Sequence, residues 1–465
     1  MAEFDLRKFA DINMKQLDLK STGILEDDIL QIENMTKISF LNSIKLMLEF
    51  SHSEKNEAYV LPNISNVLNE KDEKIEASIL NNIKLYQPQA TMLKRMLDIE
   101  EFDNLRDIGK YHGYNQLQSN LGIISERFSF GKTFMFPVLF KLKFKPNFVE
   151  TPDMMQLYIL PDKYKTHVNS NLVVCGNKTI KVWTENLKRL GLDYQKVSTA
   201  KDLDLIETQT VKEVILIKDG FTTWKGEKKY TLDHFSDLTR DKYFNRLIID
   251  DFDMLKLNPA TVLPESIFTW LISSTCEKSF KSNNIKGSLG FVCRTMVLFN
   301  FYFNLKCNAD YSAVEFNIPN IDYYYTPLRL DELVINIMMN SAPRDNKYND
   351  QADVFLSTKI DAPYIYDANK LKILISCENK EKRIELSKKI PNSILFDGRN
   401  IHKFGELNNQ IGICGLIHGV NMGYLTHILI DSEGYTDSQV NQIVGRAQRI
   451  GRTQNLQVYI REPFE

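Results

Sequence analysis

Short apolar runs separated by helical stretches are the feature that most restricts how this 465-residue chain can fold. Such runs are typical of strands buried on both faces, and the intervening helices supply the crossovers of a parallel sheet. The runs lie at 121–124, 172–175, 214–217, 247–249 and 268–272, and the pattern restarts at 372–376, 393–396, 411–416, 427–430 and 456–460. We therefore predict two tandem α/β lobes with parallel sheets, over residues 81–315 and 316–465, joined near residues 319–327. A mostly helical N-terminal extension is expected over residues 1–80.

Charge and cysteine content set few limits on function. The net charge is −2, from 58 basic and 60 acidic side chains, which neither predicts nor excludes nucleic-acid binding, because such binding needs only a local basic groove. The six cysteines are scattered without a C-x-x-C pair, so we expect buried, reduced thiols and no structural zinc site. The N-terminus has no apolar signal region, and no segment reaches the ~18 to 20 apolar residues of a membrane span. We expect an intracellular, cytoplasmic protein.

A candidate phosphate-binding loop lies between the apolar run at 121–124 and the helical stretch that follows it. Gly131, Lys132 and Thr133 follow an apolar run and begin a helical stretch, as in a P-loop. Backbone N–H groups over Ser129, Phe130 and Gly131 would bind the phosphates of ATP. Lys132 would reach the β- and γ-phosphates, and Thr133 would bind Mg²⁺.

The loop departs from the G-x-x-x-x-G-K-[ST] pattern at its start. Glu126 stands at the first glycine position, and Ser129 stands where many such loops have a further glycine. A side chain at a position that needs positive φ would carry strain. An ordinary surface Gly-Lys turn is the alternative interpretation.

A strand that ends in carboxylates provides the second candidate element. The apolar run before Asp250 is followed by Asp251 and Asp253. Asp250 would bind Mg²⁺ through water, and Asp251 would orient the attacking water, although it is one methylene shorter than the usual glutamate. A solvated turn with three acids is the alternative.

The run QIVGRAQRIGR at residues 442–452 is the most specific element of the chain. Arg446 and Arg449 are three residues apart, so on a helix they would project from one face, with Gln442 one turn earlier. Two guanidinium groups directed at a cleft would stabilise a transferring γ-phosphoryl group. The alternative, a basic and solvated helix, would not explain the apolar residues Ile443, Val444 and Ala447 around the arginines.

Together these elements resemble superfamily 2 helicases, and within them the Swi/Snf-like branch that includes nucleoside triphosphatases of large DNA viruses. The similarity is ordered and extends over about residues 85–460. Gln89 of the LYQPQ segment matches a candidate adenine contact, Trp183 and Leu187 follow the motif Ia strand, and Ser273 begins a motif III-like segment. The other matching segments are 122–133, 250–253, 318–327, 372–375, 419–427 and 442–449.

The resemblance implies two RecA-like lobes that bind ATP and Mg²⁺ between them and act as an ATP-dependent helicase or translocase on DNA or RNA. It further implies a role in viral transcription or genome handling, with transcription machinery or virion components as partners, no membrane, and packaging in a virion as a second location. The irregular loop and Asp251 leave a second hypothesis open: a catalytically weakened helicase-fold subunit with a structural role in a transcription complex. An unrelated P-loop enzyme, such as a kinase, would not need the arginine run.

Overall fold

The chain folds into two α/β units, Met1–Glu315 and Phe316–Glu465. A computed structural model describes residues 10, 20–36, 67–76, 83–101, 106–111, 114–126, 130–142, 144, 154–156, 161, 164–177, 179–208, 211–252, 255, 261–274, 304–317, 319, 321–341, 371–396, 404–405, 411–416, 422–449 and 452–461.

The helices of this part of the chain are α1 (Leu25–Thr36), α2 (Gln87–Glu100), α3 (Lys132–Lys141), α4 (Ile180–Arg189), α5 (Ala200–Thr208), α6 (Thr231–Leu238), α7 (Ala309–Phe316), α8 (Leu330–Ser341), α9 (Lys380–Lys389) and α10 (Asp437–Ala447). The strands of the first unit are β1 (Val67–Leu68), β2 (Arg106–Tyr111), β3 (Tyr114–Gln118), β4 (Leu121–Ile124), β5 (Met154–Gln156), β6 (Thr166–Cys175), β7 (Tyr194–Val197), β8 (Val214–Lys218), β9 (Phe221–Trp224), β10 (Glu227–Tyr230), β11 (Lys242–Asp250), β12 (Glu265–Ile272) and β13 (Asn304–Cys307). Those of the second unit are β14 (Ile321–Thr326), β15 (Ile373–Ser376), β16 (Ser393–Leu395), β17 (Ile411–Cys414), β18 (His427–Asp431) and β19 (Leu456–Arg461).

The first unit is built on a sheet whose described strands run in the order β1-β13-β4-β12-β11-β6-β8-β7, with every pair parallel. Every residue of β4 and the apolar ends of β6 and β11 are buried, as expected for strands covered by helices on both faces. β12 lies between β4, which precedes the Gly-Lys-Thr loop, and β11, which ends at Asp250.

The predicted N-terminal extension contributes to this sheet. Val67 and Leu68 form the edge strand β1, which pairs with β13, so these two residues belong to the first unit's sheet although they fall within the extension expected over residues 1–80. α1 follows a turn in which the Asp28 carboxylate accepts hydrogen bonds from Ser21 Oγ at 2.6 Å and Thr22 N at 2.7 Å. Most other residues of the extension lie outside the described part of the chain.

The second unit contains a parallel sheet in the order β14-β19-β18-β15-β17-β16 over its described strands. Alternate residues of each central strand enter opposite cores, as the two-residue period of a strand requires. Leu374 of β15 packs in the core that contains Ile443 and Val444 of α10. Its neighbours Ile373 and Ile375 pack in the core formed with α8 and α9. α10 and the α8–α9 pair therefore cover opposite faces.

The predicted fold class is confirmed: the chain has two α/β units of the RecA-like class, each with a parallel sheet. Two smaller sheets, β2-β3-β5 and the hairpin β9-β10, accompany the first unit. Within the described residues, no helix combines the length and apolar character needed to cross a membrane.

Candidate nucleotide-binding site

The first unit's candidate residues converge because three parallel strands end at the same sheet edge. Ile124 of β4 pairs with Ile272 of β12, and Ile272 pairs with Asp250 of β11. Adjacent strands lie about 4.8 Å apart, so the end of β4 and Asp250 are separated by about 10 Å across the edge. The loop after β4 and the acidic end of β11 are thus within reach of one ligand.

Gly131 shapes the start of the loop helix. It is the N-cap of α3 and has left-handed backbone angles, with φ 87° and ψ 25°, a conformation that glycine adopts without a steric penalty. A Cβ at this position would also overlap Gln89 Nε2. Gln89 Nε2 donates a hydrogen bond to the carbonyl of Phe130 at 2.8 Å. A side chain at residue 131 would therefore disturb both the backbone and this contact.

Gln89 is buried, and both ends of its side-chain amide are used within the protein. In addition to the Phe130 contact, its Oε1 accepts a hydrogen bond from Tyr86 N at 3.1 Å, which closes a capping box at the start of α2. The side chain therefore fixes α2 against the loop. Its role as an adenine contact stays a prediction.

Lys132 connects the loop to the segment after β12. Its Nζ donates to the carbonyl oxygen of Glu126 at 2.6 Å and to Ser274 Oγ at 2.7 Å. Ser274 follows β12, and the amide of Ser273 donates to the carbonyl of Ile124 at 3.0 Å. The ammonium group consequently lies at the sheet edge where β4, β12 and β11 end.

Glu126, the residue at the irregular start of the loop, has a defined structural role. Its buried carboxylate accepts a hydrogen bond from the amide of Cys307 in β13. Burial, and then the charge of Glu126, raise the pKa of the Cys307 thiol. Among described non-glycine residues, positive φ occurs at Lys225, Asp251, Asn317 and Asn392. Glu126 therefore does not carry the strain expected of it, while Ser129 lies outside the described residues.

Asp250, the last residue of β11, and Asp251, which follows it, have different environments. Asp250 is buried, and its Oδ2 accepts a hydrogen bond from the indole Nε1 of Trp183 at 2.8 Å. Burial, followed by the charge of Asp250, raises the pKa of Cys175 on the neighbouring strand β6. Asp251 is partly exposed and has a φ of 50°, a left-handed conformation that Asp tolerates better than most residues. Asp253 lies outside the described residues.

Thr133 occupies the first turn of α3, next to Lys132. Its carbonyl accepts a hydrogen bond from Asn186 Nδ2 of α4 at 3.1 Å. A hydroxyl and a carboxylate are hard oxygen donors of the kind that Mg²⁺ prefers, and Thr133 and Asp250 are both held by α4. These residues fit a Mg²⁺-nucleotide. The structure adds Trp183 and Asn186 to the candidate site; Trp183 was named from the sequence only as part of the resemblance.

The arginine run of the second unit differs from its predicted geometry. α10 begins with a capping box between Thr436 and Gln439 and ends at Ala447, so the expectation that Arg446 and Arg449 share one helical face is wrong. The chain leaves the helix at Gln448, with φ −81° and ψ 90°, and Gln448 Nε2 contacts the carbonyl of Pro319.

Arg446 and Arg449 are nevertheless neighbours. Arg449 Nε donates to the carbonyl of Arg446 at 3.2 Å. Burial, and then the charge of Arg446, lower the pKa of Arg449 to about 10, so the Arg449 guanidinium stays protonated at neutral pH. Gln442 is buried on α10, and the Arg446 carbonyl accepts from Met422 N at 2.9 Å. Residues 419–421, at the start of the matching segment 419–427, lie outside the described residues.

The third arginine of the run, Arg452, is structural. Its guanidinium donates to the carbonyls of Gly423 at 3.0 Å and Leu425 at 2.6 Å, and further to the carbonyls of Gln454 and Asn455. It thereby holds the chain after α10 against the segment before β18. Arg452 is therefore bound to backbone carbonyls within the second unit.

Comparisons with known proteins find similarity in structure and none in sequence. No protein-family model matches the chain, and no curated protein matches it. Among solved structures, the chain is similar to S. cerevisiae Dbp5 bound to RNA and ADP BeF3, with 11% sequence identity, a TM-score of 0.44, and coverage of 82% of this chain and 85% of that one. The chemistry assigned to the site therefore depends on the geometry of its own residues.

Proposed function

We propose that the chain is an ATP-dependent helicase or translocase of superfamily 2, which hydrolyses Mg-ATP to act on nucleic acid. The observation that carries this proposal is the position of Lys132. Its ammonium group contacts Ser274 at the sheet edge where β11 ends in Asp250. Lys132 is also the first residue of α3, whose N-cap is the left-handed Gly131.

The roles of the first unit follow from the chemistry of each group. Backbone N–H groups at the start of α3 would bind phosphate oxygens, and Lys132 would exchange its contacts with Glu126 and Ser274 for the β- and γ-phosphates. Thr133 and Asp250 would hold Mg²⁺, which supplies a Lewis acid for the phosphates. Asp251 would orient the attacking water.

The second unit would supply permanent positive charge to the reaction. A guanidinium, which carries a permanent charge, can stabilise the charge on a transferring γ-phosphoryl group, and we assign this role to Arg446 and Arg449. We assign to Gln442, whose neutral side-chain amide is buried one turn before Arg446 on α10, a hydrogen bond to the same phosphoryl group. The resemblance to the Swi/Snf-like branch favours movement along a duplex, in viral transcription or genome handling.

A second candidate is a helicase-fold subunit that binds nucleotide weakly or hydrolyses it slowly. The observation in its favour is Asp251, which has a shorter side chain than glutamate and a φ of 50°. Under this hypothesis the fold would serve as a structural component of a transcription complex.

The ATPase rate of the full chain, titrated separately with double-stranded DNA, single-stranded DNA and RNA, tests the proposal. We expect one of these to stimulate turnover, and Lys132→Ala to lower it by about 100-fold or more, as loss of a preorganised charge contact does. Lys141→Ala, at the exposed end of α3, is the matched control and should leave turnover unchanged. Unchanged turnover in Lys132→Ala would refute the assignment, and failure of the wild type to bind Mg-ATP would favour the structural subunit.

A further inference from the structure

One face of α4 contacts both proposed magnesium ligands. Trp183 Nε1 donates to Asp250 Oδ2 at 2.8 Å, and Asn186 Nδ2 donates to the carbonyl of Thr133 at 3.1 Å. Trp183 and Asn186 are three residues apart, a spacing that places side chains next to each other on a helix. A single rigid element therefore fixes Asp250 of β11 relative to Thr133 of α3.

The contact of Asn186 compensates for a defect in α3. In an α-helix the N–H of residue 137 would donate to the carbonyl of residue 133. Residue 137 is a proline inside the helix, and proline has no N–H to donate. Asn186 supplies the missing donor at Thr133, the residue whose hydroxyl is proposed to bind Mg²⁺. An unsatisfied carbonyl there would favour distortion of the first turn of α3.

The contact of Trp183 acts on the other ligand. Its indole ring is fully buried and packs against Phe136 of α3, with ring centroids 6.3 Å apart. The packing fixes the ring, and the single donor of the indole, Nε1, binds Asp250 Oδ2. One oxygen of the carboxylate is therefore oriented by a rigid group, which also sets the direction of the other oxygen.

We propose that Trp183 and Asn186 are positioning residues that hold Asp250 and Thr133 in the geometry needed to bind Mg²⁺. The inference rests on the proposed function, because it concerns the same nucleotide site. Mg²⁺ requires near-ideal octahedral geometry, in which the Thr133 hydroxyl would bind directly and Asp250 would bind through a water of the metal. Loss of groups that orient metal ligands typically weakens metal binding by about 10- to 100-fold.

The test measures the affinity of the full chain for a fluorescent ATP analogue, in EDTA and over a range of Mg²⁺ concentrations. We expect Asn186→Leu and Trp183→Phe each to raise the Mg²⁺ concentration for half-maximal binding by about 10-fold, with affinity in EDTA unchanged. Trp183→Phe keeps an aromatic ring and removes the N–H. Glu185→Gln, on the exposed side of α4, is the control and should leave both affinities unchanged.

A rescue variant separates positioning from general stabilisation. Pro137→Ala restores a backbone N–H that can donate to Thr133, so in this background Asn186→Leu should shift the Mg²⁺ dependence by less than about twofold. An equal loss of affinity with and without Mg²⁺, or a shift that persists undiminished in the Pro137→Ala background, would overturn the positioning role of Asn186. An unshifted Mg²⁺ dependence in Trp183→Phe would overturn the positioning role of Trp183. A wild type that binds no Mg-ATP would instead overturn the proposed function itself, and the positioning roles with it.

Discussion

Glu100 forms a buried ion pair whose loss should strongly destabilise the first unit. Arg246 Nε and Nη2 donate to its two carboxylate oxygens at 2.7 and 2.6 Å, and each side chain is 1% exposed. Trp270 Nε1 donates to the same carboxylate at 2.8 Å. Glu100→Ala would leave the Arg246 guanidinium with Asn171 Oδ1 at 3.3 Å and the ring of Phe144. Breaking a buried pair costs about 3–5 kcal/mol, a large part of a typical unfolding free energy of about 5–15 kcal/mol.

Urea unfolding of the full chain, followed by tryptophan fluorescence, measures this loss. Trp183 and Trp270 both pack against Phe136 in the first unit, so they report on its core. The double variant Glu100→Leu with Arg246→Met should recover most of the loss, because it removes both charges from the interior. A Glu100→Ala variant within about 1 kcal/mol of the wild type, or a double variant less stable than either single variant, would refute the reasoning.

Three further outcomes are expected. Burial lowers the pKa of His427 from 6.5 to about 4. As the pH falls from 6.5 to about 4, the unfolded state binds the proton first, so the free energy of unfolding of the second unit should fall by about 3 kcal/mol by pH 4. His427→Gln should show a smaller fall when unfolding is measured over the same pH range. Gly131→Ala should weaken ATP binding about 10-fold or more in a titration, since its φ of 87° disfavours a side chain; wild-type affinity would contradict this. Asp251→Asn, which tolerates the same backbone, should lower turnover by about 100-fold or more while the melting temperature stays unchanged; wild-type turnover would exclude Asp251 from the reaction.

The sequence predicted ten strands of the two parallel sheets, because buried parallel strands are nearly continuous apolar runs, but it did not predict β1, β7, β13 or β14. The runs at 172–175 and 247–249 fall in β6 and β11, and the carboxyl ends of these strands lie where the site was expected. Strand order was not predictable. The position of β12 between β4 and β11 depends on pairing between residues far apart in sequence, and apolar runs contain no information on which run pairs with which.

The arginine run shows why helix ends are harder to predict than helices. Nothing in residues 442–452 interrupts a helical pattern before the second glycine, and Gln448 is a good helix former. The helix stops at Ala447 in a tertiary setting, with Gln448 bound to Pro319 and Arg452 bound to carbonyls before β18. These partners lie 129 and 27 residues away in sequence, beyond the range of any local pattern.

Pro137 marks the limit of sequence reasoning about the site. A proline inside a predicted helix implies that the carbonyl four residues earlier needs another donor, so the sequence alone indicates a need at Thr133. It does not identify Asn186, which lies 53 residues away. The same face of α4 presents Trp183 to Asp250. One helix therefore donates hydrogen bonds both to the Thr133 carbonyl of α3 and to the Asp250 carboxylate of β11. The proposed metal geometry therefore depends on a helix that contributes no ligand, and we expect Trp183→Phe and Asn186→Leu in α4 to raise the Mg²⁺ requirement while the fold is retained.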